Sequence, residues 1–369
     1  MSGFFDSLKS ADLFNKRGNS VLGVDVGSSS IKVVQLKKQE GAAVLETYGE
    51  LSLGPYADLE IGKATTLPPE KIAEALKDLI KEASVTSTSA GFSIPFASSL
   101  LTFIELPKIE GAQLNKMIPI EARKYIPVPI SEVMLDWFII PENEGKLAEA
   151  STEKKTTTEV LLVAIHNEIL ANYNTIVQLS ELSTDFFEIE IFSTIRSVLD
   201  QSVAPQMIVD IGAATTKVYI VELGIVRVSH IINRGSQDVT LGVAKSLNLS
   251  FAKAEELKRK EGLLKGTGDV REIALLTLDY IFSEANRVLL NYQKKNRKNI
   301  GRVVLTGGGS VMKGIHELAD SHLETETILG DPFSKVSAPA FLGDVLKETG
   351  SEFSVAVGLA LRKLQDLDL

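Results

Sequence analysis

The chain has 369 residues, 44% of them apolar and 24% charged, a composition that suits a globular protein long enough for two lobes. A net charge of -9 argues against a general nucleic-acid binder, and the absence of cysteine excludes disulfides, thiolate metal sites and a cysteine nucleophile. Four scattered histidines (His166, His230, His316 and His322) do not suggest a histidine-rich metal site, and no apolar run approaches the roughly 20 residues that span a bilayer.

The opening MSGFFDSLKSADLFN is short and amphipathic, with Phe4, Phe5, Leu8, Leu13 and Phe14. Lys9, Asp12 and Lys16 interrupt it, so it reads as no signal peptide and is expected to pack on its own domain rather than lie on a membrane. Residues 21–36, VLGVDVGSSSIKVVQL, read as a strand, a glycine and serine turn after Asp25, and a second strand. A third strand follows at 44–53. PPEKIAEALKDLIKEAS is an amphipathic helix that puts Ile72, Leu76, Leu79, Ile80 and Ala83 on one face. AGFSIP is a buried strand ending at Pro95. Strands mixed with helices in this way indicate an α/β lobe.

The texture then changes. SLLTFIELP, EVMLDWFIIP and TEVLLVAI read as strands, GAQLNKMIPIEARKYIP as a helix strained at Pro119, and NEILANYNTIVQLS as a helix. The polar ENEGKLAEASTEKKTTTE between two of these strands reads as an exposed loop. This small α+β unit, residues 98–179, looks like an insertion into a first lobe made of 1–97 and 180–200, which FFEIEIFSTIRSVLD closes. Residues 201–369 are expected to form the second lobe, with the C-terminal helix returning toward the first. It opens with QMIVDIGAATTKVYIVELG and continues with helices in FAKAEELKRKEG and REIALLTLDYIFSEANRVLLNYQKKN. RVVLTGGGSVMKGIHELA is strand, glycine turn and helix, and SEFSVAVGLALRKLQ is a C-terminal helix.

The opening of the second lobe repeats that of the first: strand, aspartate, glycine, small polar cluster, lysine, strand. An internal repeat on the half-chain scale implies two similar lobes facing each other. A phosphate chain needs close backbone N–H donors, hydroxyls, a positive charge and carboxylates for a cation. Gly27, Ser28, Ser29 and Ser30 supply donors, Lys32 charge and Asp25 a carboxylate. Asp210, Gly212, Ala213, Thr215 and Thr216 repeat the arrangement. Either loop alone also reads as an ordinary turn; the pair is what points to phosphate. The third glycine stretch, Gly307, Gly308, Gly309 and Ser310, lies between a strand and a helix, where bare backbone and free N–H groups can seat a nucleoside.

In order and spacing these three stretches resemble the phosphate-1, phosphate-2 and adenosine motifs of the actin, Hsp70 and sugar kinase superfamily. FEIEIF resembles its first connecting helix, and VAVGLALR, with Gly358 at a helix crossing, its second. Within the superfamily the chain is most similar to the PilM family of type IV pilus assembly proteins. The similarity rests on residues 21–32, on FIELP…EARKYIPVPISEVMLDW, and on EANRVLLNYQKKN, LTGGGSVMKGI and GDPF.

That resemblance implies an α/β, two-lobed actin-like ATPase fold with an inserted subdomain of the type found in FtsA. It implies ATP between the lobes and Mg²⁺ with its waters oriented by Asp25 and Asp210. Ser28, Ser29, Ser30, Lys32, Thr215 and Thr216 are implied on the phosphates. Glu255 and Lys258 match the ribose and base contacts, or form an exposed helical charge pair. Met312 lies against the adenine, or is a core methionine. Of Glu188 and Glu190, near the first connecting helix, Glu188 is the preferred group to position an attacking water, with hydrolysis slow at most.

The family also implies a partner: the cytoplasmic N-terminal peptide of a PilN-like inner-membrane protein, held by a groove of the 1A and 1C subdomains. Glu121, Arg123 and Tyr125 are candidates to line it, against the alternative of a solvated helix face. The implied place is the bacterial cytoplasm, at the inner face of the membrane and near the motor ATPases of a pilus or related secretion system; self-association is left open. The alternatives are an FtsA-like polymerising scaffold, which the acidic ending LQDLDL in place of an amphipathic tail disfavours, and a small-molecule kinase, for which no acceptor-base motif stands out.

Overall fold

Val21, Leu22 and Val24, then Ile31, Val33, Val34 and Leu36, are wholly buried, and they lie on β1 (Ser20–Val26) and β2 (Ser30–Gln39). The computed structural model describes residues 19–108, 112–140, 157–264 and 268–368; the opening amphipathic stretch and most of the polar loop lie outside them. The first lobe continues with β3 (Ala42–Ser52), α1 (Pro69–Glu82) and β4 (Ser89–Ile94). Helix α1 buries Ala73, Ala75, Leu76 and Leu79, the apolar face its spacing predicts.

The described residues fall into two compact units, one within 95–175 and one within 19–94 and 176–368. In the smaller unit, β5 (Ser99–Pro107), α2 (Ala112–Ala122), β6 (Val133–Ile139) and β7 (Thr157–His166) form an antiparallel sheet in the order β5-β7-β6 with one helix on it. Ile104, Leu106, Leu114, Ile118, Val160 and Leu162 are its core. Helix α2 runs through Pro119 without ending there. Helix α3 (Asn167–Leu179) leads back to the larger unit.

The chain returns in β8 (Ser183–Ile189) and α4 (Glu190–Val198). The second lobe follows with β9 (Gln206–Ile211), β10 (Thr216–Glu222), β11 (Ile225–Ile232), α5 (Ser236–Leu247), α6 (Phe251–Glu261) and α7 (Asp269–Asn296). The chain continues with β12 (Arg302–Thr306), α8 (Ile315–Leu323), β13 (Thr327–Leu329), α9 (Gly343–Thr349) and α10 (Ser354–Gln365), the last of which returns to pack in the first sheet's core. The long α7 presents Ala274, Leu278, Ile281, Ala285, Leu289 and Tyr292 to the second sheet's core at helical spacing. Among the described residues no helix is long and apolar enough to cross a membrane.

The repeat seen in the sequence is a repeat of topology. One sheet runs β3-β2-β1-β4-β8 and the other β11-β10-β9-β12-β13. In both, three antiparallel strands are followed by two parallel ones. Helix α10 ties the first lobe together. A Cβ on Gly23 of β1 would meet the Ala356 carbonyl oxygen at 2.0 Å, and one on Gly358 would meet the Ser193 carbonyl oxygen of α4 at 1.9 Å. The backbone of α10 therefore touches a strand on one side and crosses α4 on the other, which only glycine permits.

Candidate functional site

Strand register sets Asp25 opposite Lys32 across β1 and β2, and Asp210 opposite Lys217 across β9 and β10. Both hairpins close alike: the Gly27 amide donates to the Ser30 carbonyl and the Gly212 amide to the Thr215 carbonyl, each at 3.0 Å. The Ser28 and Ser29 carbonyls accept from the amides of Thr65 and Leu53, both at 2.8 Å. Those of Gly212 and Ala213 accept from the first amides of α5, Ser236 and Gln237, at 2.9 and 3.0 Å. A trans peptide points its N–H opposite its C=O, so these bonds turn the amides of Ser29, Ser30, Ala213 and Ala214 away from their props. All four residues line one cavity of about 640 Å³, within the range of small-molecule sites.

The third wall is the glycine turn after β12. Gly307 has φ +82°, and a Cβ there would lie 2.3 Å from Asp210 Oδ1. A Cβ on Gly309 would lie 2.3 Å from the Ile211 side chain. The two glycines thus pack on the second hairpin. Gly308 differs: a Cβ there would meet only the Glu352 carboxylate, at 3.7 Å, so its open side belongs to the cavity.

Two candidates from the three glycine stretches lie outside the cavity lining. Thr216 is wholly buried and its hydroxyl donates to the Arg234 carbonyl at 2.9 Å. It is the first residue of β10, and alternation gives the opposite face to Lys217. Ser310 is also buried, its hydroxyl 2.7 Å from the Gly307 carbonyl, so it pins the glycine turn from behind.

The cavity floor is a set of paired charges. Lys32 Nζ lies 2.8 Å from Ser30 Oγ and 2.9 Å from Glu50, its register neighbour on β3. Burial works to lower the pKa of Lys32, and the Glu50 and Asp25 carboxylates overcome it and hold the ammonium above its usual range. Burial raises Asp25, which accepts from Ser93 Oγ at 2.8 Å. In the second sheet Ile231 stands opposite Lys217 where the first has Glu50, so Lys217 finds its further partner on α4. Its Nζ lies 2.6 Å from Glu190 and 3.2 Å from Asp210. Burial would lower it, and those two carboxylates hold it well above the ordinary value.

Glu255 and Lys258 are not an exposed pair. They lie 2.6 Å apart, both largely buried and lining the cavity, with Lys258 also donating to Thr240 Oγ1 at 3.0 Å. Met312 meets both of its readings, since it belongs to the second lobe's core and lines the cavity. Glu352 faces this group, and burial with the Glu50 charge nearby pushes its carboxyl up to about 6.

Glu188 requires a correction. It does not line the cavity; Glu190 does. The Glu188 carboxylate is gripped by both Arg196 Nη atoms, at 2.7 and 2.8 Å, by Arg362 at 2.7 Å and by Ser193 Oγ at 2.5 Å. FEIEIF is not one helix but the end of β8 and the start of α4, and the break between Ile189 and Glu190 puts the two carboxylates in different places.

In the smaller unit, Glu121 lies near the end of α2 and pairs with Lys124 at 2.8 Å, while Arg123 and Tyr125 are exposed in the turn that follows. The cavity also contains charged residues to which the sequence motifs assign no role: Glu50, Lys217, Arg259 and Glu352. Lys217 has a detectable signal, because its spacing from Asp210 equals that of Lys32 from Asp25. The others depend on strand register and helix placement.

The family described as type IV pilus assembly protein PilM matches residues 23–364 of this chain. The cell division protein FtsA of Pseudomonas aeruginosa is 24% identical over 390 residues, covering 94% of this chain and 90% of that protein. Among solved structures, the PilM-PilN type IV pilus biogenesis complex aligns with a TM-score of 0.78 at 23% identity, covering 93% of this chain and 98% of that one. MreB 5 of Spiroplasma citri bound to AMPPNP aligns with a TM-score of 0.51 at 13% identity, covering 96% and 100%. The fold is therefore that of the actin-like ATPases.

Proposed function

This chain belongs to the PilM family of type IV pilus assembly proteins, and on that premise we propose that it is an ATP-binding adaptor that docks the cytoplasmic N-terminal peptide of a PilN-like inner-membrane protein. The observation that carries the nucleotide half is the matched pair of hairpin turns sharing one cavity with the Gly307–Gly309 backbone. A triphosphate fits that arrangement. The Ser29, Ser30, Ala213 and Ala214 amides, the hydroxyls of Ser28, Ser29, Ser30 and Thr215, and Lys32 would hold the phosphates. The open side of Gly308, with Met312, would take the base, and Glu255 and Lys258 the ribose. MreB 5 bound to AMPPNP, with a similar fold, supports this reading.

The divalent ion implied with the nucleotide fits less well. Of the two carboxylates expected to carry it, Asp25 accepts from Ser93 and Asp210 is held by Lys217. Among the described residues no group of three His, Cys, Asp or Glu side chains is arranged to hold a metal ion. Glu190 replaces Glu188 as the side chain placed to orient water. With Lys217 2.6 Å away it is poorly disposed to do so, which favours nucleotide as a conformational ligand over rapid turnover.

The solved PilM-PilN complex, whose fold this chain shares, supports a partner of that kind. In this reading the peptide docks on the inserted subdomain near Glu121, Arg123 and Tyr125, which places the protein at the inner face of the membrane through its partner. The test is to titrate the labelled N-terminal peptide of the PilN-like protein of the same genome into the full chain, with and without ATP. Saturable binding whose affinity changes with ATP is expected. No binding in either state by folded protein contradicts the adaptor reading.

A further inference from the structure

Lys217 lines the cavity where carboxylates from three elements act on one another. Asp210 comes from β9, Glu190 from the first turn of α4, and Asp25 from the other hairpin. The Lys217 ammonium contacts Glu190 at 2.6 Å and Asp210 at 3.2 Å, and Asp25 acts on it electrostatically. Its side chain is only 14% exposed. A hydrated divalent ion bound with phosphates asks for carboxylate oxygens of this sort, and here a covalently anchored cation already has them. Lys32 is paired with Glu50 on its own sheet and acts on Asp25 electrostatically, so Glu190 and Asp210 are the carboxylates that Lys217 holds by direct contact.

Resting on the reading of the cavity as an ATP site, we propose that Lys217 is the resident cation of that site, taking the place of a divalent metal ion among Glu190, Asp210 and Asp25, so that the protein binds ATP without one. The ammonium neutralises the floor and offers N–H donors toward the phosphates, which are the two services a metal ion would give there. It also ties Glu190 to the second hairpin, so the group best placed to orient water is engaged by a cation instead.

The experiment is calorimetric titration of ATP into the full-length protein in excess EDTA and in excess Mg²⁺, for the wild type and Lys217→Met. The wild type is expected to bind with affinities within about threefold of each other in the two buffers. Lys217→Met is expected to lose about tenfold or more in EDTA. A tenfold or greater loss by the wild type in EDTA overturns the proposal, and that arm decides even if the variant does not fold. A variant that binds equally tightly in EDTA also overturns it. Absence of wild-type binding in both buffers removes the ATP reading itself, a result distinct from metal-dependent binding.

Discussion

Gly358→Val is expected to cost about 3 kcal/mol or more and to lower the melting temperature by about 4 °C or more. The cause is steric and involves backbone on both sides. The first carbon of any side chain at Gly358 falls 1.9 Å from the Ser193 carbonyl oxygen and 2.8 Å from Ser193 Cα. Neither helix yields easily, because α10 is also pressed on β1, where a Cβ on Gly23 would meet Ala356 oxygen at 2.0 Å. The Gly358 carbonyl additionally accepts from Arg196 at 3.2 Å, so separating the helices breaks that bond. Thermal unfolding checks the prediction, with Gly224→Ala as a reference because no atom lies within 4 Å of its added Cβ. Gly224 has φ +78°, so that reference carries backbone strain without a clash and separates the two costs. A Gly358→Val melting temperature within error of the wild type contradicts the crossing.

Glu188→Ala is expected to destabilise the fold by roughly 3–5 kcal/mol, the cost of stripping the counter-ion from buried charges. Two guanidiniums depend on this carboxylate, Arg196 through two bonds and Arg362 through one. Arg362 is largely buried and stacks on the Phe186 ring, 3.8 Å from its centroid. Burial alone would raise the Glu188 pKa; Arg196, Arg362 and Ser193 together reverse that and hold it below the ordinary glutamate value. The sign follows from linkage. A carboxyl with a depressed folded-state pKa stabilises above its unfolded pKa, and that stability is lost as pH falls through the folded value. The wild-type advantage over Glu188→Gln should therefore be complete at neutral pH and should shrink on acidification below pH ~4.5, the ordinary glutamate value. Denaturant unfolding of both proteins across that range checks it. An advantage independent of pH would mean that the ion cluster is not what Glu188 supplies.

The parts of the fold legible in the sequence are those with local signatures. The hairpins can be read because apolar strands flank glycine turns, and their recurrence exposes the duplicated sheet topology. The glycine turn after β12 can be read for the same reason. What depends on three-dimensional placement is not legible. Strand alternation does not carry across Glu188 and Glu190, because the chain changes from strand to helix between them. Thr216 and Ser310 share the composition of phosphate-binding residues, but register and turn geometry point their hydroxyls at backbone carbonyls. Glu50 reaches Lys32 only because β3 pairs in register with β2, and no local pattern in the sequence encodes that neighbour. The part played by α5 is not legible either: its first amides prop the second hairpin, a role set by backbone placement and not by side-chain type.

The nucleotide site stands or falls on an equilibrium titration of ATP into the wild type and into Gly308→Val, with thermal unfolding of both. Gly308 is the informative position because an added Cβ meets no backbone there, so the variant should fold while its side chain fills the space assigned to the base. One saturable site is expected in the wild type, and binding at least about tenfold weaker in Gly308→Val at an unchanged melting temperature. ATP binding of equal strength in the two proteins, or none in the folded wild type, contradicts an ATP site in this cavity.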